Sequence, residues 1–128
     1  MITFLKYIFH ISMIFLITIS LYPGSLLGYL IHGDWTQQPD FIENPFGTTI
    51  NHFISYTYVS LVGLVSYLKT KNFKKIVYGL FTLSVVLEVF HLIIPNRSFQ
   101  IGDLIGNILG VLLAYFLVKI YLLLNTHE

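Results

Sequence analysis

Four stretches of the chain are almost continuously apolar, and short polar segments separate them. They run from about Phe4 to Tyr22, Ile50 to Leu68, Ile76 to Ile94 and Leu104 to Leu124. A helical residue rises about 1.5 Å, so about 20 of them cross a hydrocarbon layer about 30 Å thick. The runs are continuous rather than alternating, which predicts helices and not barrel strands. The expected fold is all-α: a polytopic membrane protein whose four transmembrane helices form one bundle, a single domain over residues 1–128. The first stretch carries its apolar character on to Ile31 past Pro23-Gly24. It has Lys6 ahead of an apolar run, as a signal peptide does, but no small-x-small cleavage site follows Ser20. The run is also long for a signal core, so an uncleaved span is expected.

Composition agrees with that pattern. Hydrophobic residues make up 55% of the 128 and charged residues only 10%, against roughly 25% charged in soluble domains. There is too little charge to cover a soluble globule, to keep a chain disordered or to present a basic face to nucleic acid. The absence of cysteine removes disulfides, thiolate catalysis and Cys-ligated metal centres. The net charge of +1 conceals an uneven distribution. Four lysines (Lys69, Lys71, Lys74 and Lys75) lie between the second and third spans with no acid among them. The positive-inside rule places that loop in the cytoplasm, so both termini are expected inside (N-in, C-in), with Lys6 and Lys119. Asp34, Asp40, Glu43 and Arg97 then fall outside.

That topology collects the unusual residues at one level. A charge within a span costs several kcal/mol on insertion scales, so each needs a reason. Glu88 lies seven residues before Pro95, with His91 three residues later on the same helical face. Arg97 follows in a short outer turn. Asp103 opens the last span, with Asn107 at i+4 and Gly110 at i+7. His52 stands near the start of the second span, with Tyr56 one turn deeper. These groups come from three spans and one loop, and all fall in the outer half of the bilayer. An outward-facing polar pocket is expected, lined by His52, Tyr56, Glu88, His91, Arg97, Asp103 and Asn107. Two helix N-termini border it and, with Arg97, suit a phosphate or carboxylate. Glu88 and Asp103 either pair with Arg97 or keep a proton through desolvation.

Plainer roles stand beside these. Asp103 is well placed to cap the last helix. Asn107 and Gly110 suit helix packing, and a Glu88–Arg97 pair could be purely architectural. Gly102, Gly106 and Gly110 form two overlapping small-xxx-small steps, a face for close helix contact and a surface through which a homo-oligomer could form. Trp35 and the tyrosines at 7, 22, 29, 67, 78 and 121 read as interfacial belt residues. His10, His32 and His127 are assigned no role.

The order His52-Phe53-Ile54-Ser55-Tyr56, Glu88-Val89-Phe90-His91, Pro95-Asn96-Arg97-Ser98-Phe99, Asp103, Asn107 and Gly110 resembles the VanZ-like family over roughly residues 48–114. That family's pattern is Asp-Lys-x-x-His-Phe, Glu-x-x-Gln, Pro-x-Arg and Asp-x-x-x-Asn-x-x-Gly. Thr48-Thr49 stand here where the family has Asp-Lys, and His91 where it has glutamine. The resemblance implies a small, multi-pass protein of the bacterial cytoplasmic (inner) membrane, set in the cell envelope. It also implies a link to glycopeptide resistance, as in the founding member's low-level teicoplanin resistance.

Two functional readings follow. The first is an accessory protein that binds an anionic envelope lipid or lipid-linked precursor, with membrane lipids as partners and no nucleic acid. The alternative is a membrane enzyme acting on such a lipid or its sugar. Glu88 or Asp103 would be the general base, His52 or His91 the proton shuttle, and Arg97 the stabiliser of developing charge. No activated nucleophile is evident, and the first reading is preferred. Glu88-x-x-His91 also has metal-ligand spacing, which His52 and Asp103 could complete. Di-metal bundles use two such motifs and this chain has one, so no metal and no cofactor is expected.

Overall fold

A computed structural model describes residues 2–39, 42 and 45–125. Asp40, Glu43 and His127 lie outside the described residues. The described residues form five helices and no strand: α1 (Ile2–Leu21), α2 (Leu26–His32), α3 (Thr49–Tyr67), α4 (Phe73–Phe90) and α5 (Ile101–Asn125). Four correspond to the expected apolar runs. The short α2 was not anticipated as a separate helix. Pro23-Gly24 ends α1, with Gly24 at φ 86°. Ser25 then caps a new helix by accepting the Gly28 amide at 2.9 Å. Gly33, at φ 71°, closes it.

The end of α4 also departs from expectation. It stops at Phe90 rather than near Ile94, because the chain tightens into i→i−3 bonds from His91, Leu92 and Ile93. Pro95-Asn96 then turns the chain, with Asn96 in the left-handed region at φ 58°, which asparagine tolerates. Glu88 therefore lies in the last turn of α4 rather than deep within it.

The centre of the bundle is α3, which packs most extensively against α5 and also against α1 and α4. Its seam with α5 is set by the glycines. A Cβ on Gly106 would lie 2.7 Å from the Thr49 carbonyl oxygen. One on Gly110 would lie 2.7 Å from the Phe53 carbonyl oxygen and 2.9 Å from the Thr57 nitrogen. These obstacles are backbone atoms, which cannot swing aside. The stripe that the sequence offers to a second copy is thus filled inside the chain by α3. On the other side of α3, Phe9 of α1 is buried against Gly63.

The distribution of polarity is the reverse of a soluble domain's. Ser60, Ser66, Ser84, Glu88, Asp103 and Asn107 are buried, while Phe4, Tyr7, Ile11, Ile14 and Phe15 of α1 are exposed. Phe116, Ile120, Leu123 and Leu124 of α5 are exposed likewise. Apolar surface on that scale marks contact with lipid or a partner. Two helices, α1 and α5, are long and apolar enough to cross a membrane, with mean hydropathy 1.9 and 2.1. The lysines gather at one end of the bundle. Lys6 lies over the Tyr67 ring at 5.0 Å and Lys119 over Tyr115 at 5.6 Å, beside the lysine-rich α3–α4 link. Trp35, in the loop after α2, stacks on Tyr29 of α2 and on Tyr22 after α1, with centroids 3.8 and 5.3 Å away.

The seam can be checked directly. Gly110→Val should lower the melting temperature in detergent by the equivalent of about 1–3 kcal/mol or prevent folding, as overpacking does. Gly79→Ala, where an added Cβ meets nothing within 4 Å, should be neutral or slightly stabilising. Equal melting temperatures for the two variants would rule out the seam as described.

Candidate functional site

The end of the bundle opposite the lysines carries the site. The first two turns of α3, the last turn of α4, residues 91–100, the first two turns of α5 and the close of α1 meet there.

Asp103 stands in the first turn of α5, where a carboxylate is stabilised by the helix dipole. The Thr48 hydroxyl donates to both of its oxygens at 3.2 Å, and the Thr49 hydroxyl donates to Oδ1 at 3.1 Å. Thr48 is the residue before α3 and Thr49 its first, so this carboxylate serves two helix N-termini together. The anion that those N-termini favour is supplied by the chain itself. The two threonines that depart from the Asp-Lys pattern are the residues that hold it.

One turn along α5, Asn107 orients His52. The Asn107 amide donates from Nδ2 to the Ser84 carbonyl at 3.1 Å, leaving Oδ1 2.9 Å from His52 Nδ1. A carbonyl oxygen at Ser84 only accepts, so the amide cannot be flipped. Its Oδ1 also only accepts, so His52 carries its proton on Nδ1. The other ring nitrogen, Nε2, faces Asp103 Oδ2 at 3.5 Å.

Glu88 has no exposed surface. Its Oε1 accepts the Gln100 amide at 3.0 Å, whereas Oε2 has no hydrogen-bond partner and lies 3.3 Å from His91 Nδ1. The expected pairing of Glu88 or Asp103 with Arg97 is not what forms. Among the described residues the ion pairs are His52–Asp103 and His91–Glu88. Arg97 turns instead to the end of α1, donating from Nη2 to the Ile19 carbonyl at 2.6 Å and from Nε to the Tyr22 carbonyl at 3.2 Å. His91 donates from Nε2 to the Ser20 carbonyl at 3.1 Å. The last carbonyls of a helix are otherwise unsatisfied and carry partial negative charge, so a cation there is doubly favourable. Burial pushes the Arg97 pKa down while Glu88 and Asp103 push it up; an arginine remains charged throughout.

In front of these groups lies a cavity of about 80 Å³, room for several waters. Its ionisable lining is His52, His91 and Arg97, and its neutral polar lining includes Ser20, Ser25, Gln38, Asn51 and Ser55. Glu88, Asp103 and Asn107 are brought together with His52 but stand behind this lining, not on it. Tyr56 contributes its ring to the lining and points its hydroxyl at the Leu83 carbonyl, 3.4 Å away. A second, apolar groove of about 230 Å³ adjoins the cavity between α1 and α3, sharing Leu16, Ile19, Leu27 and Ser55 with it. Contributors missed from sequence include Ser20, Ser25, Gln38, Asn51, Ser55 and Gln100. Asn51 and Ser55 are an i,i+4 polar pair at the start of α3, one position before His52 and Tyr56, and that spacing was a usable signal. Gln100 acts through its backbone amide, which no side-chain pattern reveals.

The VanZ/LLP1 family model matches residues 2–123. The chain belongs to the VanZ/LLP1 family. No curated protein and no solved structure matches it. The family and the two apolar helices point to a membrane protein. In this VanZ/LLP1 member the threonines at 48 and 49 and the histidine at 91 each have a defined partner, so the departures from the pattern are built into its geometry.

Because Arg97 closes α1, Arg97→Ala should destabilise the fold by about 1–3 kcal/mol, the cost of stranding partly buried acceptors. Hydrogen exchange should rise in the last turn of α1 and not at Phe9 or Met13. Unchanged exchange around Ile19–Tyr22 would refute the capping role.

Proposed function

We propose that this VanZ/LLP1 protein is a four-span protein of the bacterial cytoplasmic membrane, with both termini inside, that binds an anionic amphiphile of the envelope. The phosphate or carboxylate of the headgroup occupies the cavity beside Arg97, His52 and His91, and an acyl or polyprenyl chain lies along the adjoining apolar groove. The observation that carries this reading is the adjacency of the two spaces. A cavity lined by His52, His91 and Arg97 adjoins an apolar groove on the face where α1 meets α3, the two sharing Leu16, Ile19, Leu27 and Ser55. The carboxylates that would repel an anion are turned into the wall behind.

Arg97 uses two of its five donors on α1, which leaves donors for a ligand. Lysines at one end of the bundle and the cavity at the other support an outward-facing site by the positive-inside rule. Capture of a surface lipid or precursor would alter what a glycopeptide such as teicoplanin meets at the membrane, which agrees with the family's link to resistance. The enzymatic alternative has less geometric support. A general base must reach the proton it removes, and both Glu88 and Asp103 are buried away from the cavity. The two His52 nitrogens are likewise directed at Asn107 and Asp103.

Mass spectrometry of the protein extracted in native lipid discs tests the binding. Wild type should carry a specific anionic amphiphile. Arg97→Gln, which keeps a donor for the α1 carbonyls but loses the charge, should deplete it several-fold. Ser55→Trp, which plugs the junction of cavity and groove, should do the same. Identical lipid profiles from equally folded proteins would refute the site. The topology has its own check in a chain that lacks cysteine. Ser98→Cys should react with impermeant maleimide from outside the cell and Lys71→Cys should not; the reverse labelling would invert the orientation.

A further inference from the structure

We infer that His52, Glu88 and Asp103 form a binding site for one divalent transition-metal ion, with His52 Nε2 and one oxygen of each carboxylate as ligands. The three ligand atoms lie within 4.8 Å of one another. A tetrahedral zinc site with bonds of about 2.0–2.1 Å separates its ligand atoms by about 3.4 Å, and His52 Nε2 already stands 3.5 Å from Asp103 Oδ2. One imidazole with two carboxylates is a donor set that zinc and manganese accept.

What points to an ion is the way each ligand is held. His52 gives its Nδ1 proton to Asn107 and turns a lone pair inward. Glu88 spends Oε1 on the Gln100 amide and leaves Oε2, fully buried, with no hydrogen-bond partner and only His91 Nδ1 beside it, at 3.3 Å. Asp103 is steadied by Thr48 and Thr49. Outer partners that fix the orientation of a ligand while leaving one atom free are the usual surroundings of a metal site. Charge leads to the same conclusion. Two buried carboxylates meet only the two imidazoles of His52 and His91 at ion-pair distance, and the arginine's donors are turned to the end of α1. Buried charge is costly, and a divalent cation would neutralise both carboxylates without requiring a proton on either imidazole. His91 borders the site rather than joining the ligand set: its Nε2 is bound to the Ser20 carbonyl and its Nδ1 faces Glu88 Oε2 at 3.3 Å. The inference does not depend on the lipid reading, because metal content is measurable on delipidated protein.

The test uses the full chain without a histidine tag, stripped with chelator, reloaded with zinc and measured by elemental mass spectrometry. About one zinc per chain should remain after gel filtration, and its removal should lower the melting temperature. The near-isosteric Glu88→Gln and Asp103→Asn, and His52→Ala, should each abolish retention, with a monodisperse elution profile certifying the fold. Asn107→Ala, which releases His52 Nδ1, should weaken zinc by about 10- to 100-fold. His32→Gln, on the exposed end of α2, should leave it unchanged. A folded wild-type protein that retains neither zinc nor manganese would overturn the inference and assign the neutralising charge to a proton on His52. Zinc that survives Asp103→Asn and is lost in His32→Gln would also overturn it, as adventitious surface binding.

Discussion

The close approach of α5 to α3 governs the rest of this structure. Where Gly106 and Gly110 meet the carbonyls of Thr49 and Phe53, there is no space for a Cβ, so the helix axes cannot separate without losing the contact. Asp103 and Asn107 each follow a glycine of the stripe by one position. They are therefore carried at fixed height and angle to Thr48, Thr49 and His52. Short polar side chains reach their partners across this seam only because the backbones are so near. Replacing glycine would displace the polar groups before it altered any of their chemistry.

The second organising feature is the division of labour among charges. The sequence predicts an anion site at two helix N-termini, yet those N-termini already hold Asp103. Arg97 answers the opposite need, at the carboxyl end of α1. Asp103 and Arg97 thus each meet a helix end of opposite sign, and the cavity receives what is left: the remaining guanidinium donors and the edges of two imidazoles. That residue of positive character, and not a dedicated cluster, is what the cavity offers a ligand.

Much of this was legible in the sequence. The four long helices follow from apolar runs of adequate length, and the polar set converges as helical spacing predicts. The legible part rests on periodicity and composition, which act locally. The illegible part rests on contacts between distant segments. That Arg97 would choose carbonyls of α1 over Glu88 depends on where α1 ends in space. That end is set by Pro23-Gly24 and the unanticipated α2. The end of α4 was misjudged because Leu92, Ile93 and Ile94 are as apolar as the helix before them, and only their tightened hydrogen bonds separate the two. Thr48 and Thr49 looked like a loss against the family pattern because hydroxyls carry no charge. Their donation to Asp103 needs α5 in place to be seen.

The capping of α1 by Arg97 has a consequence for biogenesis. The acceptor at Ile19 and the donor at Arg97 are 78 residues apart in the chain. During synthesis α1 is made first, and until Arg97 follows its terminal carbonyls lack this partner. The group that completes it arrives after α3 and α4 have been made. The first helix made is thus among the last to have its end satisfied.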